Sequence, residues 1–146
     1  MIEGFKLTKE FIQFENEVSN WEEAIIKSAK PLLEGDLIEQ SYVDAMVDSV
    51  KEHGPYIVIA PNIAMPHARP ETGSKKVGFS ILKLEKPVAF SEEEEHKVQL
   101  LISLSCADAN THIEILQAIV GVLSDQEKYD YIFNAKTAEE MVKVFA

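Results

Sequence analysis

Three short, nearly unbroken apolar runs, Tyr56–Ala60, Lys76–Leu84 and Val98–Leu104, lie between segments whose apolar residues recur at helical spacing. Runs of that length, bounded by Gly, Pro and charged clusters, suit strands covered on both faces of a sheet. The flanking segments are of the other kind. Ser19-Asn20-Trp21-Glu22-Glu23 supplies a cap and an acidic first turn for a helix carrying Trp21, Ala24, Ile25, Ala29, Leu32 and Leu33, with Gly35 as its stop. A second helix runs from Ile38 to Val50 and ends before His53-Gly54-Pro55. Asp108-Ala109-Asn110-Thr111 caps a third, bearing Ile113, Leu116, Ile119, Val120 and Leu123. Two more are expected at Asp125–Phe133 and Thr137–Phe145, the last opened by the capping box Thr137-Ala138-Glu139-Glu140. Residues 7–18 alternate loosely and suggest one further short strand. The expected fold is α/β: a small mixed sheet with helices packed against it.

The 146 residues read as one domain spanning 1–146, with no repeat and no low-complexity linker. A chain of roughly 150 residues buries about 70% of its unfolded surface, so a core forms without staples. Fourteen basic residues against 25 acidic give a net charge of −11. Nucleic-acid binding runs on Lys and Arg neutralising phosphates and is excluded as a function class; an anionic membrane surface is disfavoured on the same ground. The N-terminal residues show no signal-peptide pattern, and no apolar stretch reaches the roughly 18 residues of a membrane span. The single cysteine, Cys106, permits neither an internal disulfide nor a cysteine-held zinc. These features point to a cytoplasmic protein without direct membrane insertion.

The chemistry concentrates in Ala60-Pro61-Asn62-Ile63-Ala64-Met65-Pro66-His67-Ala68-Arg69-Pro70. Pro66 and Pro70 stiffen the backbone around His67, just beyond an apolar run. An imidazole that must meet a phosphorus in line gains from being held in one orientation. An ordinary loop histidine in a proline-rich turn fits the same residues. His112, at the start of the third helix, sits where backbone N–H groups and the positive end of the dipole gather, a place that favours an anion and a neutral ring. A first-turn histidine without a task fits there too. Both histidines follow strands, and crevices in open α/β sheets lie at strand carboxyl ends, so the two rings are expected to converge. Cys106 stands at the same junction, either as a buried packing residue or as the nucleophile of a cysteine-dependent hydrolase. Lys51 and Arg69 are the basic residues expected nearest His67. The histidines at 53, 67, 96 and 112 have no short metal-ligand spacing, and no P-loop, Gly-x-Gly-x-x-Gly or Gly-x-Ser-x-Gly run is present. Ser91-Glu92-Glu93-Glu94-Glu95 reads as a solvated loop.

The segment Ile63-Ala64-Met65-Pro66-His67, followed by Val77-Gly78-Phe79-Ser80, resembles the active-site region of the mannitol/fructose-type enzyme IIA of the bacterial phosphoenolpyruvate-dependent sugar phosphotransferase system. Thr111-His112-Ile113-Glu114-Ile115-Leu116 resembles that family's second motif. The stretch from Gly54 through Glu71, together with Lys83-Leu84-Glu85-Lys86-Pro87-Val88-Ala89-Phe90, is similar to its ascorbate-specific branch.

The resemblance implies a three-layer sandwich with about five strands. It implies that His67 takes a phosphoryl group on a ring nitrogen, with His112 its neighbour in the pocket. The donor would be the histidine phosphocarrier protein HPr and the acceptor a IIB component, serving uptake of L-ascorbate. Phosphoenolpyruvate would be the ultimate donor, and no cofactor or metal is expected. The mannitol type carries an arginine on the helix before the active-site strand. Counting back from His67 places that function on Lys51, which keeps the charge but lacks the bidentate fork, and Arg69 would share the role. Two visiting proteins must reach one histidine, so an apolar rim including Met65 is expected around it, Met65 serving equally well as a core side chain. The negative net charge would steer a basic partner surface. The same residues would also serve a phosphorylation-dependent regulatory module of this fold.

Overall fold

The computed structural model describes residues 4–106 and 108–145. Five strands, β1 (Ile12–Glu15), β2 (Val58–Ala60), β3 (Asn62–Ala64), β4 (Gly78–Ala89) and β5 (Lys97–Ser105), form one mixed sheet in the order β1-β4-β5-β3-β2. β1 runs parallel to β4 and β3 parallel to β5, whereas β4–β5 and β2–β3 are antiparallel. Five helices complete the chain: α1 (Trp21–Glu34), α2 (Gln40–His53), α3 (Ala109–Leu123), α4 (Gln126–Asn134) and α5 (Ala138–Phe145).

The pleat of the central strands divides the core in two. Phe79 and Ile81 of β4, with Leu100, Ile102 and Leu104 of β5, meet Ile115, Ile119, Ile132, Met141 and Phe145 from α3, α4 and α5. Leu82, Leu84, Val98 and Leu101 point to the opposite face, against Ile25 and Leu32 of α1 and Tyr42, Met46 and Val50 of α2. The three layers are therefore helix, sheet and helix, because β4 and β5 are apolar on both sides. Val98 and Leu101 share a face although they lie three residues apart, since the pairing with β3 skips Gln99.

Local chemistry sets the termini. Asn20 accepts the N–H of Glu23 at 2.9 Å to cap α1. Pro31 inside α1 has no N–H, so the carbonyl of Lys27, one turn earlier, loses its helical partner. The side-chain amide of Gln13 on β1 donates to that carbonyl at 2.6 Å. A defect in the helix thus becomes an anchor for the edge strand. At the C-terminal end of α4, Lys83 of β4 donates to the carbonyls of Ile132, Phe133 and Ala135 at 3.0, 2.7 and 2.8 Å, complementing the negative end of the dipole.

Three expectations change. The strand in residues 7–18 shrinks to Ile12–Glu15, with a 3-10 turn at Lys9–Phe11 before it. Tyr56–Ala60 is not a buried strand: only Val58–Ala60 is extended, at the sheet edge, and Ile59 is 47% exposed. The chain reverses at Pro61 through Asn62, whose φ of 74° is a conformation asparagine tolerates, and returns as β3. The interior strand of this region is thus β3, which carries buried Ile63 and Ala64. β4 also extends past Leu84 to Ala89, with the pairing shift around Pro87 accommodating its missing donor.

The candidate functional site

Because β3 and β5 are parallel neighbours, the loops after Ala64 and Ser105 emerge at the same edge of the sheet. The first loop is Met65-Pro66-His67-Ala68-Arg69, and the second leads through Cys106 to α3. Hydrogen bonds to their backbones fix both. Met65 N–H donates to the Ile57 carbonyl and Leu104 N–H to the Pro66 carbonyl, both at 2.9 Å. Ala68 N–H donates to the Tyr42 hydroxyl at 3.2 Å, and that hydroxyl donates to the Leu104 carbonyl at 2.8 Å. Tyr42 rises from α2 beneath the loop with 1% of its surface exposed. Burial pushes its pKa up to about 12, so the bridging proton stays in place.

On this support stands His67, half-buried, with Nδ1 at 2.7 Å from the carbonyl oxygen of Met65. A carbonyl only accepts, so Nδ1 carries the hydrogen, and in the neutral ring the lone pair belongs to Nε2. The ring of His112 faces it at a centroid separation of 5.8 Å. The two histidines do converge, for the topological reason that their strands are parallel and adjacent. Burial first, and the nearby His67 second, depress the pKa of His112, in keeping with a neutral ring in the first turns of a helix.

A cleft of about 910 Å³ opens over the pair. Arg69 lines it, exposed, and is the one arginine or lysine among the described residues that do so. Lys51 is absent from its wall. That side chain points along the outer face of α2 and pairs with Glu22 of α1 at 3.4 Å. Ser49 and His53 take the cleft face instead, one turn apart on the same stripe as Tyr42 and Met46. Lys51, two residues after Ser49, lies about 200° around the helix. A count of residues along the sequence does not carry this rotation.

Tyr56 belongs to the site as well, although it reads as part of an apolar run. Its ring meets His67 edge-on at 5.8 Å and His53 at 6.3 Å. His53, Tyr56, His67 and His112 therefore form a row of rings across the cleft. Met65 is 1% exposed and packs in the core, so it forms no part of a rim. The exposed apolar side chains in this part of the molecule are Tyr56 at 46%, Ile59 at 47% and Ile113 at 54%.

The start of α3 is capped by Asp108, as its sequence predicts. Asp108 accepts the N–H of Thr111 at 2.9 Å in a capping box, which leaves one fewer free amide for an anion. Cys106 is 3% exposed, and burial, reinforced by the Asp108 carboxylate, pushes its thiol up to about 11. That is the wrong direction for a nucleophile at neutral pH. Elsewhere, Glu93, Glu95 and His96 place potential ligand atoms within 4.8 Å of one another on the exposed turn before β5, and Ser91 engages His96 Nδ1 at 2.6 Å. Among the described residues no helix is long and apolar enough to cross a membrane.

Residues 5–146 match the family described as the phosphoenolpyruvate-dependent sugar phosphotransferase system, EIIA 2. The ascorbate-specific PTS system EIIA component of Escherichia coli strain K12 is 39% identical over 132 residues, 90% of this chain and 86% of that protein. The fold is similar to that of the mannitol-specific cryptic phosphotransferase enzyme IIA of Escherichia coli, with a TM-score of 0.87 and 35% identity over 95% of this chain and 94% of the other. It is also similar to mannitol enzyme IIA from the same organism, solved in complex with phosphorylated mannitol enzyme IIB, with a TM-score of 0.84 and 25% identity over 96% of each. The chain belongs to the EIIA type 2 family of the phosphoenolpyruvate-dependent sugar phosphotransferase system, and it is a phosphotransferase of that system.

Proposed function

We propose that this protein carries a phosphoryl group on Nε2 of His67, received from the phosphocarrier HPr and passed to a IIB component for L-ascorbate uptake, in the cytoplasm. The observation that carries the reading is the Nδ1–Met65 contact, which leaves Nε2 as the ring's nucleophile in a cleft open to solvent. In the first step the Nε2 lone pair attacks the phosphorus held by a histidine of HPr. The donor N–P bond breaks, its electron pair returns to the donor ring, and a new N–P bond forms at His67. The second step repeats this displacement with a nucleophile of the IIB protein. Phosphoryl transfer depends on alignment and charge stabilisation. The clamped loop supplies alignment; Arg69, and His112 through a ring N–H, supply charge and hydrogen bonding. Phosphoenolpyruvate is the ultimate source, and no resident cofactor or metal enters the scheme.

Ascorbate specificity is supported by the 39% identical relative, and a IIB acceptor by the complex solved for the mannitol protein. The test is to incubate the protein with phosphoenolpyruvate, enzyme I and HPr, map the acid-labile modification, and add ascorbate-type or mannitol-type IIB protein. Expected are one phosphate on His67, none on His67→Ala, and faster transfer to the ascorbate-type acceptor. Phosphate on His67→Ala at the normal rate would overturn the site. Preference for the mannitol-type acceptor would overturn the sugar.

A further inference from the structure

The sulfur of Cys106 lies 3.4 Å from Nδ1 of His112, on the side of the ring opposite Nε2. No other polar neighbour of that sulfur is found among the described residues. The cysteine is held still for this contact. Its N–H donates to the Ser74 hydroxyl at 2.9 Å, and the same hydroxyl donates to its carbonyl at 2.6 Å. Ser74 is itself tied to Ile38 by an isolated β-bridge. A chain of contacts therefore runs from Ser74 through Cys106 to His112 and so to His67.

We propose that Cys106 is a positioning residue for His112: its S–H donates to Nδ1, holding the ring in the tautomer that carries hydrogen on Nε2 and presents that N–H to the cleft beside His67. The direction follows from donor and acceptor strength. An imidazole lone pair is a far better acceptor than a thiol sulfur, and the thiol keeps its hydrogen at neutral pH. The two histidines then hold opposite tautomers. At His67 a carbonyl takes the Nδ1 hydrogen and frees the Nε2 lone pair; at His112 a thiol gives a hydrogen to Nδ1 and leaves Nε2–H. One ring offers electrons to phosphorus while the other offers a donor to the phosphoryl oxygens. With the reverse tautomer, His112 would turn a lone pair toward those oxygens and stabilise nothing.

This inference rests on His67 as acceptor, yet the tautomer is measurable without any phosphate. The ring nitrogens of the ¹⁵N-labelled protein report it directly by NMR, in wild type, Cys106→Ala and Cys106→Ser. Expected are an unprotonated Nδ1 in wild type, growth of the Nδ1–H form in Cys106→Ala, and recovery in Cys106→Ser, whose hydroxyl also donates. Transfer from phosphorylated HPr should slow about three- to tenfold in the alanine variant, the loss of one ordinary hydrogen bond, and recover in the serine variant. A protonated Nδ1 in wild type overturns the proposal, and needs no folded variant to show it. Tautomer populations in the alanine variant unchanged from wild type overturn it too, as does a shifted tautomer with an unchanged rate. A protein that accepts no phosphate from any donor defeats the carrier reading and leaves the tautomer result standing.

Discussion

His67 donates through Nδ1 to the carbonyl of Met65, only two residues before it, at 2.7 Å. The partner that selects its tautomer is thus part of the same stiff segment, and no neighbouring element has to arrive for the nucleophile to be set. What must be fixed from outside is the segment itself, and that task falls to Ile57, Leu104 and Tyr42. Orientation of the ring and placement of the loop are separable, so variants can break one without the other.

Tyr42→Phe tests placement. It removes the hydroxyl shared by Ala68 N–H and the Leu104 carbonyl while keeping the ring that fills the core. A buried donor and acceptor left without a partner cost about 1–3 kcal/mol. The expected result is an unfolding free energy from urea titration lower by that amount, with slower phosphorylation of His67. Unchanged stability would mean that water replaces the hydroxyl.

Lys51→Ala and Arg69→Ala separate the two cations. Lys51 makes an exposed pair with Glu22 at 3.4 Å, a contact of about 0–1 kcal/mol, and does not line the cleft. Its loss should leave phosphate uptake unchanged. Arg69 lines the cleft, and its replacement should slow uptake about five- to tenfold, roughly the worth of one hydrogen bond. Rapid-quench rates with phosphorylated HPr decide it; the reverse order of effects would restore Lys51 to the site.

Much of this arrangement is legible in the residues alone, for reasons particular to each. Asn20 and Asp108 are readable as caps because a side-chain oxygen there meets free amides whatever the tertiary fold. The convergence of His67 and His112 is readable because both follow strands. β3 is not, because three residues carry too little periodicity and the reversal rests on one left-handed Asn62. That Ser49 and His53, and not Lys51, line the cleft is not read from a count along the chain, because distance along a helix does not specify direction around it, although the stripe Tyr42, Met46, Ser49 extended by one turn reaches His53. Met65, for which rim and core are equally open in the sequence, is settled in the core because it follows β3, an interior strand that the residues alone do not reveal.

The thiol of Cys106 should be inert in the folded protein. Its pKa stands near 11 against an ordinary 9, so below both values the thiolate is about 100-fold scarcer than in the unfolded chain. Alkylation by iodoacetamide at pH 7.5 should be slower by at least about that factor than in urea. The sign for stability follows: between pH 9 and 11 the unfolded chain loses the proton first, so folding stability falls as pH rises through that window. Rapid labelling of the folded protein at neutral pH would revive a nucleophilic role.

Partner docking is expected to use the exposed apolar side chains around the cleft. Ile113, next to His112 on α3, is 54% exposed, so little packing holds it and its replacement leaves the core intact. A partner that covers His67 also covers surface of this kind, and an apolar contact made equally in encounter and transition state affects KM rather than kcat. Ile113→Asp should therefore raise KM for phosphorylated HPr several-fold with little change in the rate at saturation. With a net charge of −11, association should also weaken as salt is raised, because a basic partner surface is steered by the field of the whole molecule. Salt should act mainly on the association rate, and the Ile113 variant mainly on dissociation. Stopped-flow measurements at two ionic strengths separate the two, and a salt-independent association rate would remove the role assigned to the acidic surface.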